Sequence, residues 1–499
     1  MISVLAWLVC GALVFVEQDL PGLRVGRAEP LSGERWRNFR QADFDGNGEL
    51  DLLLPDGIAF QRNSAFRRED RHALPPANGL PACDLWNTTV YLRLPESLAC
   101  FQWSSDGWLT LFEHPIRWPD REALVQGSDP APPGDAAELR FERFLHDFNQ
   151  DGRPEIVVAA EDGLHVFMTD GERYTPAGIF DVFPPLRLVP ENPARVWPPD
   201  PQRIPVSEMH LSCHLFITQN RVTVLESDII SENRARYRME CFEIAADPGA
   251  DLELKSLGRQ KTPVVPATLR PCRLNPGETI DFAGGQWQFA SGGLLHAPVY
   301  EMSVSTDFGQ SIQSVRSISY RPSCSFVDFN GDGRLDLVAE SAGLFEGGVR
   351  ETVSRLMTAR SLKHHIEIHL QDDNGVFPVT PSIRGSFHLS IDQAPARSGE
   401  RFRRYQASEL LDITGDFDGD GIRDAVIHAS PREIQVYRGT AAGFGSRPIL
   451  TAAIEPHWRF AVDDIDGDGR SDIIFRWVDA KGDDEIEQCR VFLTREETR

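Results

Sequence analysis

The residues best equipped for chemistry in this chain are acids spaced two apart. In Asp464-Ile465-Asp466-Gly467-Asp468-Gly469-Arg470-Ser471-Asp472, carboxylates stand at positions 1, 3, 5 and 9 and a glycine at position 6. Hard oxygen donors at alternate residues, a glycine where the backbone reverses and a backbone carbonyl at position 7 make the ligand pattern of a Ca²⁺ loop. Four further copies supply the same candidate ligands. They are Asp416, Asp418, Asp420, Ile422 and Asp424; Asp328, Asn330, Asp332, Arg334 and Asp336; Asp147, Asn149, Asp151, Arg153 and Glu155; and Asp43, Asp45, Asn47, Glu49 and Asp51. Each substitution at positions 1, 3, 5 and 9 keeps an oxygen donor. Position 7, which is Arg470 in the first copy, needs only its carbonyl.

The residues after each loop decide the fold class. An EF-hand requires a bidentate Glu at position 12 and a helix beyond it. Position 12 here is Leu54, Val158, Ala339, Ile427 or Phe475, none of them a ligand. The runs Asp51–Leu54, Glu155–Ala159, Asp336–Ala339, Asp424–Ile427 and Asp472–Phe475 are short and apolar, as buried strands are. A second strand follows most of them after a brief turn: Ile58–Phe60, Leu164–Phe167 and Ile434–Tyr437. The unit is strand, acidic loop, strand, turn, strand.

These five stretches resemble FG-GAP or VCBS repeats, the units of the β-propeller of integrin α-chains and of many exported bacterial proteins. The resemblance implies an all-β propeller with Ca²⁺ bound in hairpin loops, and a role in cell adhesion or recognition. It names no partner.

Loop starts at 43, 147, 328, 416 and 464 leave a smallest gap of 48 residues, about one four-stranded blade. The gap of 104 then holds an extra blade with strands near Leu98–Trp103 and Trp108–Phe112. The gap of 181 holds one or two more, around Met209–Phe216 with Val222–Leu225, and Gln286–Phe289 with Val299–Met302. Seven blades are favoured, with eight as the alternative, in one propeller over 17–499. Inserted loops are expected near 127–136, 181–206 (rich in proline) and 341–363. In the last of these Val349, Val353, Leu356 and Met357 have helical spacing. The run Cys489–Leu493 reads as the third strand of the last blade. An open edge invites aggregation, so the N-terminal segment near Leu20–Val25 is expected to supply the fourth.

Residues 1–16 are apolar and uncharged, too short for a membrane span, and read as a signal peptide or short hydrophobic anchor, with a buried first strand as the further alternative. Export to the periplasm, cell surface or medium suits Ca²⁺ loops. The net charge of −24 argues against nucleic acid and anionic membranes. The five loops carry 18 of the 75 acids, and five Ca²⁺ ions would cancel ten of those charges. Of the seven cysteines past residue 16 (Cys83, Cys100, Cys213, Cys241, Cys272, Cys324 and Cys489), Cys83 with Cys100 and Cys213 with Cys241 could pair on export, and buried free thiols are at least an equal reading. Asn87-Thr88-Thr89 is one glycosylation sequon.

Other constellations have plainer readings. His365, Glu367 and His369 alternate on one face of a strand, where a transition-metal site competes with the solvent face of an outer strand. The two histidines are ~13 Å apart, too far for one ion. Trp86, Trp103, Trp108 and Trp118 read as core between blades rather than a sugar-stacking platform. No GxSxG, HExxH or P-loop pattern occurs, so no catalytic or organic-cofactor residues are assigned and enzyme activity stays open. The expected function is a monomeric Ca²⁺-binding scaffold for a protein or polysaccharide. Its alternatives are a polysaccharide lyase or glycoside hydrolase on the same ring, and a purely structural surface protein.

Overall fold

The strand that follows each acidic loop is buried on both faces, and this makes the fold a stack of sheets. In Asp51–Leu54 all four residues are buried. Leu52 and Leu54 face one neighbouring sheet while Leu53 faces the other. Alternation within one apolar run therefore feeds two cores at once. The same division holds for Asp424–Ser430, where Ala425 and Ile427 pack one way and Val426 the other.

The computed structural model describes residues 13–19, 40–75, 82–116, 140–188, 213–245, 253–274, 280–288, 299–342, 361–390, 411–454, 459–481 and 484–496, apart from breaks of one to five residues within these spans. The described residues form eight sheets, antiparallel apart from one parallel edge pair in each of two of them, and no helix. In chain order, sheet I spans 40–73, II 82–115, III 145–180, IV 186–266, V 270–318, VI 320–390, VII 411–453 and VIII 459–496. The arrangement is an eight-bladed β-propeller, a ring of radial sheets of which six have four strands, sheet II five (Arg140–Phe141 joins it) and sheet IV six. Apolar clusters join I to II, II to III, IV to V, V to VI, VI to VII, VII to VIII, and VIII back to I.

The favoured count of seven blades is corrected to eight. The long stretch between the loops at 147 and 328 holds two sheets, IV and V, not one. The extra blade read between the first two loops is sheet II, with strands Ser97–Ser104 and Gly107–Pro115.

Sheet VIII is completed from the other end of the chain. Leu13–Asp19 pairs antiparallel with Asp484–Glu496, Leu13 opposite Glu496 and Asp19 opposite Arg490. An N-terminal donor was expected, but at Leu20–Val25, which lie outside the described residues. The strand lies earlier and takes in Leu13–Val16 of the apolar run.

Other expectations change as well. The proline-rich stretch 181–206 contains a short strand, Leu186–Leu188, at the edge of sheet IV and parallel to Cys213–Thr218. Proline is tolerated beside an edge strand because that strand leaves one side of its ladder unpaired. The helix implied by the spacing over 349–363 falls outside the described residues except at its end, where Ser361–His369 is a strand instead; the loop 127–136 lies outside them too. Cys83 and Cys100 are both free. They lie on opposite faces of sheet II, one in the core shared with I and the other in the core shared with III, so they cannot bridge. Cys241 is free too; its strand is separated from that of Cys213 by Arg221–Ser231.

Trp103 and Trp108 fill the space between sheets I and II, their rings 5.3 Å apart. Trp103 stacks on Phe60 and His72 of sheet I. Trp86 packs between II and III. Trp118 is outside the described residues.

Two predictions follow from this packing. Replacing Leu13–Asp19 with a Gly-Ser segment leaves the edge of Asp484–Glu496 unpaired. Tm should fall by at least about 5 °C and self-association should appear; an unchanged Tm and a monomeric sedimentation profile would contradict the closure. His428 is buried against Phe460, 5.1 Å between ring centroids, and burial lowers its pKa to about 4. Its folded pKa lies below the unfolded one, so stability is lost as pH falls from about 6.5 towards 4, by up to about 3 kcal/mol. His428→Leu should flatten this acid limb of Tm against pH, and an identical limb in both proteins would refute the assignment.

Candidate metal loops

Each loop is organised by its first acid. The position-1 carboxylate accepts the N–H of the position-6 glycine: Gly48 to Asp43 at 2.9 Å, Gly152 to Asp147 at 3.0 Å, Gly333 to Asp328 at 3.0 Å, Gly421 to Asp416 at 2.8 Å and Gly469 to Asp464 at 3.0 Å. Those glycines have φ of +83 to +88°, a left-handed conformation that costs other residues free energy. The position-5 side chain accepts the N–H of position 7, from Glu49, Arg153, Arg334, Ile422 and Arg470 at 2.6–2.9 Å.

The position-9 acid is buried and ties the loop to the rest of its blade. Asp424 Oδ2 accepts the N–H of Phe417 at 2.8 Å, and its Oδ1 that of Gly439 on the third strand at 2.7 Å. Asp51 takes Phe44 and Gln61, Asp336 takes Phe329 and Gln371, and Asp472 takes Ile465 and Thr494, at 2.8–3.0 Å. All four carboxylates are 0 % exposed. Burial, opposed by these hydrogen bonds, raises the pKa of Asp51 and Asp424 to about 7, of Asp336 to about 6 and of Asp472 to about 8; neighbouring loop acids add to the rise.

In three loops the carboxylates of positions 1, 3 and 9 converge, with one oxygen of each within 4.8 Å of the others: Asp43, Asp45 and Asp51; Asp416, Asp418 and Asp424; Asp464, Asp466 and Asp472. Three like charges so close repel one another. In the second triad Asp418 Oδ1 is buried without a hydrogen-bond partner. An all-oxygen, acid-rich donor set of this kind fits a hard divalent cation. The position-5 acids Asp420 and Asp468 stand outside the triads. Loop 328–336 has Asn330 at position 3, and its Asp332 is engaged by Arg334 at 2.6 Å and by Asn330 at 3.0 Å. Asn149 lies outside the described residues.

The loops also hold one another around one edge of the ring. Arg423, at position 8 in sheet VII, donates its N–H to Phe329 O and its Nε to Asp328 O of the preceding loop, at 2.8 and 3.0 Å. Ser471, at position 8 in sheet VIII, donates its N–H to Asp416 O at 2.7 Å and accepts from Asp416 N at 2.9 Å. Gln41 of sheet I caps Asp464 O and Ile465 O at 2.8 and 3.0 Å. Gly331 faces Gly421 O so closely that a Cβ there would lie 2.4 Å from it. Loops VI, VII, VIII and I thus form a continuous arc across the ring seam.

A sixth copy escaped the sequence reading. Leu274 N donates to Asp281 Oδ2 at 2.7 Å, the same seven-residue span as Phe44 to Asp51. Cys272 pairs with Asp281 as Ala42 does with Asp51. Position 1 of this copy is Arg273 and position 5 Gly277, so the acid alternation that marks the others is gone. Only Ile280-Asp281 before an apolar run remains as a signal.

Among the described residues, His365, Glu367 and His369 are not one of the groups whose ligand atoms converge. Their strand is the third of sheet VI, not an outer one. His369 is buried with Nδ1 2.7 Å from Pro378 O, and Glu367 pairs with Arg384 at 3.2 Å.

Residues 416–475 match the model of the FG-GAP-like repeat. No curated protein sequence matches the chain. Among solved structures, a functionally unknown protein from Desulfotomaculum acetoxidans aligns over 84 % of this chain and 99 % of its own, at 11 % identity and TM-score 0.26. A mutant of the Synechocystis apocarotenoid oxygenase aligns over 80 % and 84 %, at 9 % identity and TM-score 0.22. PorZ, a surface component of the type-IX secretion system of Porphyromonas gingivalis, aligns over 91 % and 68 %, at 8 % identity and TM-score 0.17. This chain is an eight-bladed β-propeller that carries an FG-GAP-like repeat at 416–475, with one loop register shared by six of its sheets.

Proposed function

We propose that the protein is an exported, Ca²⁺-stabilised propeller that serves as a non-enzymatic binding or adhesion scaffold for a protein or glycan. The observation carrying the ion is the convergence of positions 1, 3 and 9 in three loops of one arc. Calcium answers the all-oxygen donor set, and the glycine turn and carbonyl-bearing position 7 complete its loop. The role of the ion is structural: it cancels repulsion among acids that the ring brings together.

The topology supports the scaffold. The metal loops join first to second strands, so they share one edge of the ring. The strand ends at Pro115, Ala342, Ser361, Ser390 and Leu411 belong to the opposite edge, and long connections leave from there. Connections on a rigid frame are where recognition residues gather. The leader or anchor is proposed to end before Leu13, where the closing strand begins. A monomer at the cell surface, in the periplasm or in the medium fits this reading.

At ~2 mM Ca²⁺ and Kd ~0.1 mM each site would add about 1.8 kcal/mol. Calcium removal should therefore lower Tm by about 5–10 °C for several sites. Asp418→Asn and Asp466→Asn should shrink the gap between Tm in calcium and Tm in EDTA. Asp424→Asn, which leaves one acceptor oxygen for the two N–H groups of Phe417 and Gly439, should lower both. Identical melting with and without calcium in the unaltered protein would end the ion reading. A glycan and protein array probed in calcium and in EDTA, beside a polysaccharide turnover screen, tests the scaffold: binding without turnover supports it, and turnover moves the protein to the lyase or hydrolase alternative.

A further inference from the structure

Among the described residues, an arginine from outside the loop meets the position-3 carboxylate in three of the loops. Arg438, on the third strand of sheet VII, sets Nε 2.5 Å from Asp418 Oδ2 and Nη2 3.3 Å from Asp420 Oδ2. Arg495, on the third strand of sheet VIII, pairs with Asp466 and sets Nη1 3.1 Å from Asp468 Oδ2. Arg62, just past the third strand of sheet I, pairs with Asp45. Each is next in sequence to the residue whose N–H meets the position-9 acid, namely Gly439, Thr494 or Gln61. The strand register therefore delivers both the tie and the guanidinium to one loop.

The arginine accompanies an acid at position 3. Loop 328–336 has Asn330 there, and the third strand Ser361–His369 with Leu370 and Gln371 holds no arginine. Loop 147–155 has Asn149, and the third strand Gly163–Thr169 holds none either. A surface salt bridge of general use would not follow the charge of one ligand position so closely. The guanidinium meets the very carboxylate that completes each triad, so its positive charge stands beside the place a divalent ion would take; at Asp418 it holds Oδ2 and leaves Oδ1 without a partner.

We infer that Arg62, Arg438 and Arg495 are tethered counter-cations. They neutralise the position-3 acid while the loop holds no divalent ion, keep the ring folded in that state, and raise the ion concentration at which the loop fills. The inference rests on the metal reading of these loops and adds their regulation. A monovalent tethered charge gives way to Ca²⁺ only above a threshold, so the blades that cross the ring seam would take up the ion under extracellular rather than trace concentrations.

The test uses the full chain and Ca²⁺ itself, following Tm against calcium from EDTA upwards. Arg438→Gln, Arg495→Gln and Arg62→Gln should each lower Tm in EDTA, leave it near wild type at saturating calcium, and reduce the half-maximal calcium concentration about fivefold. Arg438→Lys keeps the charge and should stay near wild type. Variants that need as much calcium as wild type or more would overturn the inference alone. A wild type that ignores calcium would overturn it together with the metal reading. Unfolding of the Gln variants in EDTA that calcium reverses supports the role; unfolding at all calcium concentrations overturns it.

Discussion

The structure depends on one buried interaction repeated from blade to blade: a carboxylate at loop position 9 that accepts two backbone N–H groups. One donor belongs to the loop and the other to the third strand, as with Phe417 and Gly439 around Asp424. A buried acid without such partners would be costly, and a buried loop amide equally so. Meeting both needs with one side chain fixes where the loop sits on its sheet. Sheet V keeps the loop half of this tie without the metal ligands, because Asp281 accepts the N–H of Leu274 in a copy with Arg273 and Gly277 at positions 1 and 5. The cation chemistry is added to a framework that the backbone already specifies.

From that framework the ring is assembled. Strands buried on both faces hand apolar side chains alternately to the two neighbouring sheets, so each core is shared and no sheet is stable in isolation. Along one edge the loops themselves interlock, position 8 of one against positions 1 and 2 of the one before. The arc from sheet VI to sheet I passes over the seam where the two ends of the chain meet. At that seam the strand Leu13–Asp19 completes the last sheet and removes an edge that would otherwise recruit another chain.

Much of this was legible in the sequence, and the physics explains what was not. The alternating acids, the turn glycine and the apolar run after position 9 are local signals, and the structure puts a strand after every one of them. The sixth loop was invisible because Arg273 stands where the pattern has Asp. Sheet IV carries no loop at all, so spacing alone could not separate seven blades from eight. The N-terminal run was ambiguous because an apolar strand and a leader have the same composition; Leu13–Val16 are now part of a sheet. Face parity decided the cysteines: Cys83 and Cys100 are both buried, but against different neighbours. The arginines at the loops lie far along the chain from the acids they meet, Arg495 from Asp466 above all, and only the strand register brings them together.

Amide hydrogen exchange read residue by residue tests the tie most directly. The account predicts that the amides of Phe417, Gly439, Ile465 and Thr494 are among the slowest to exchange, in calcium and in EDTA alike. The amides of Gly421 and Gly469, inside the loops, should slow only when calcium is added. Rapid exchange at the first four in EDTA would contradict the claim that buried carboxylates, rather than the ion, anchor the loops.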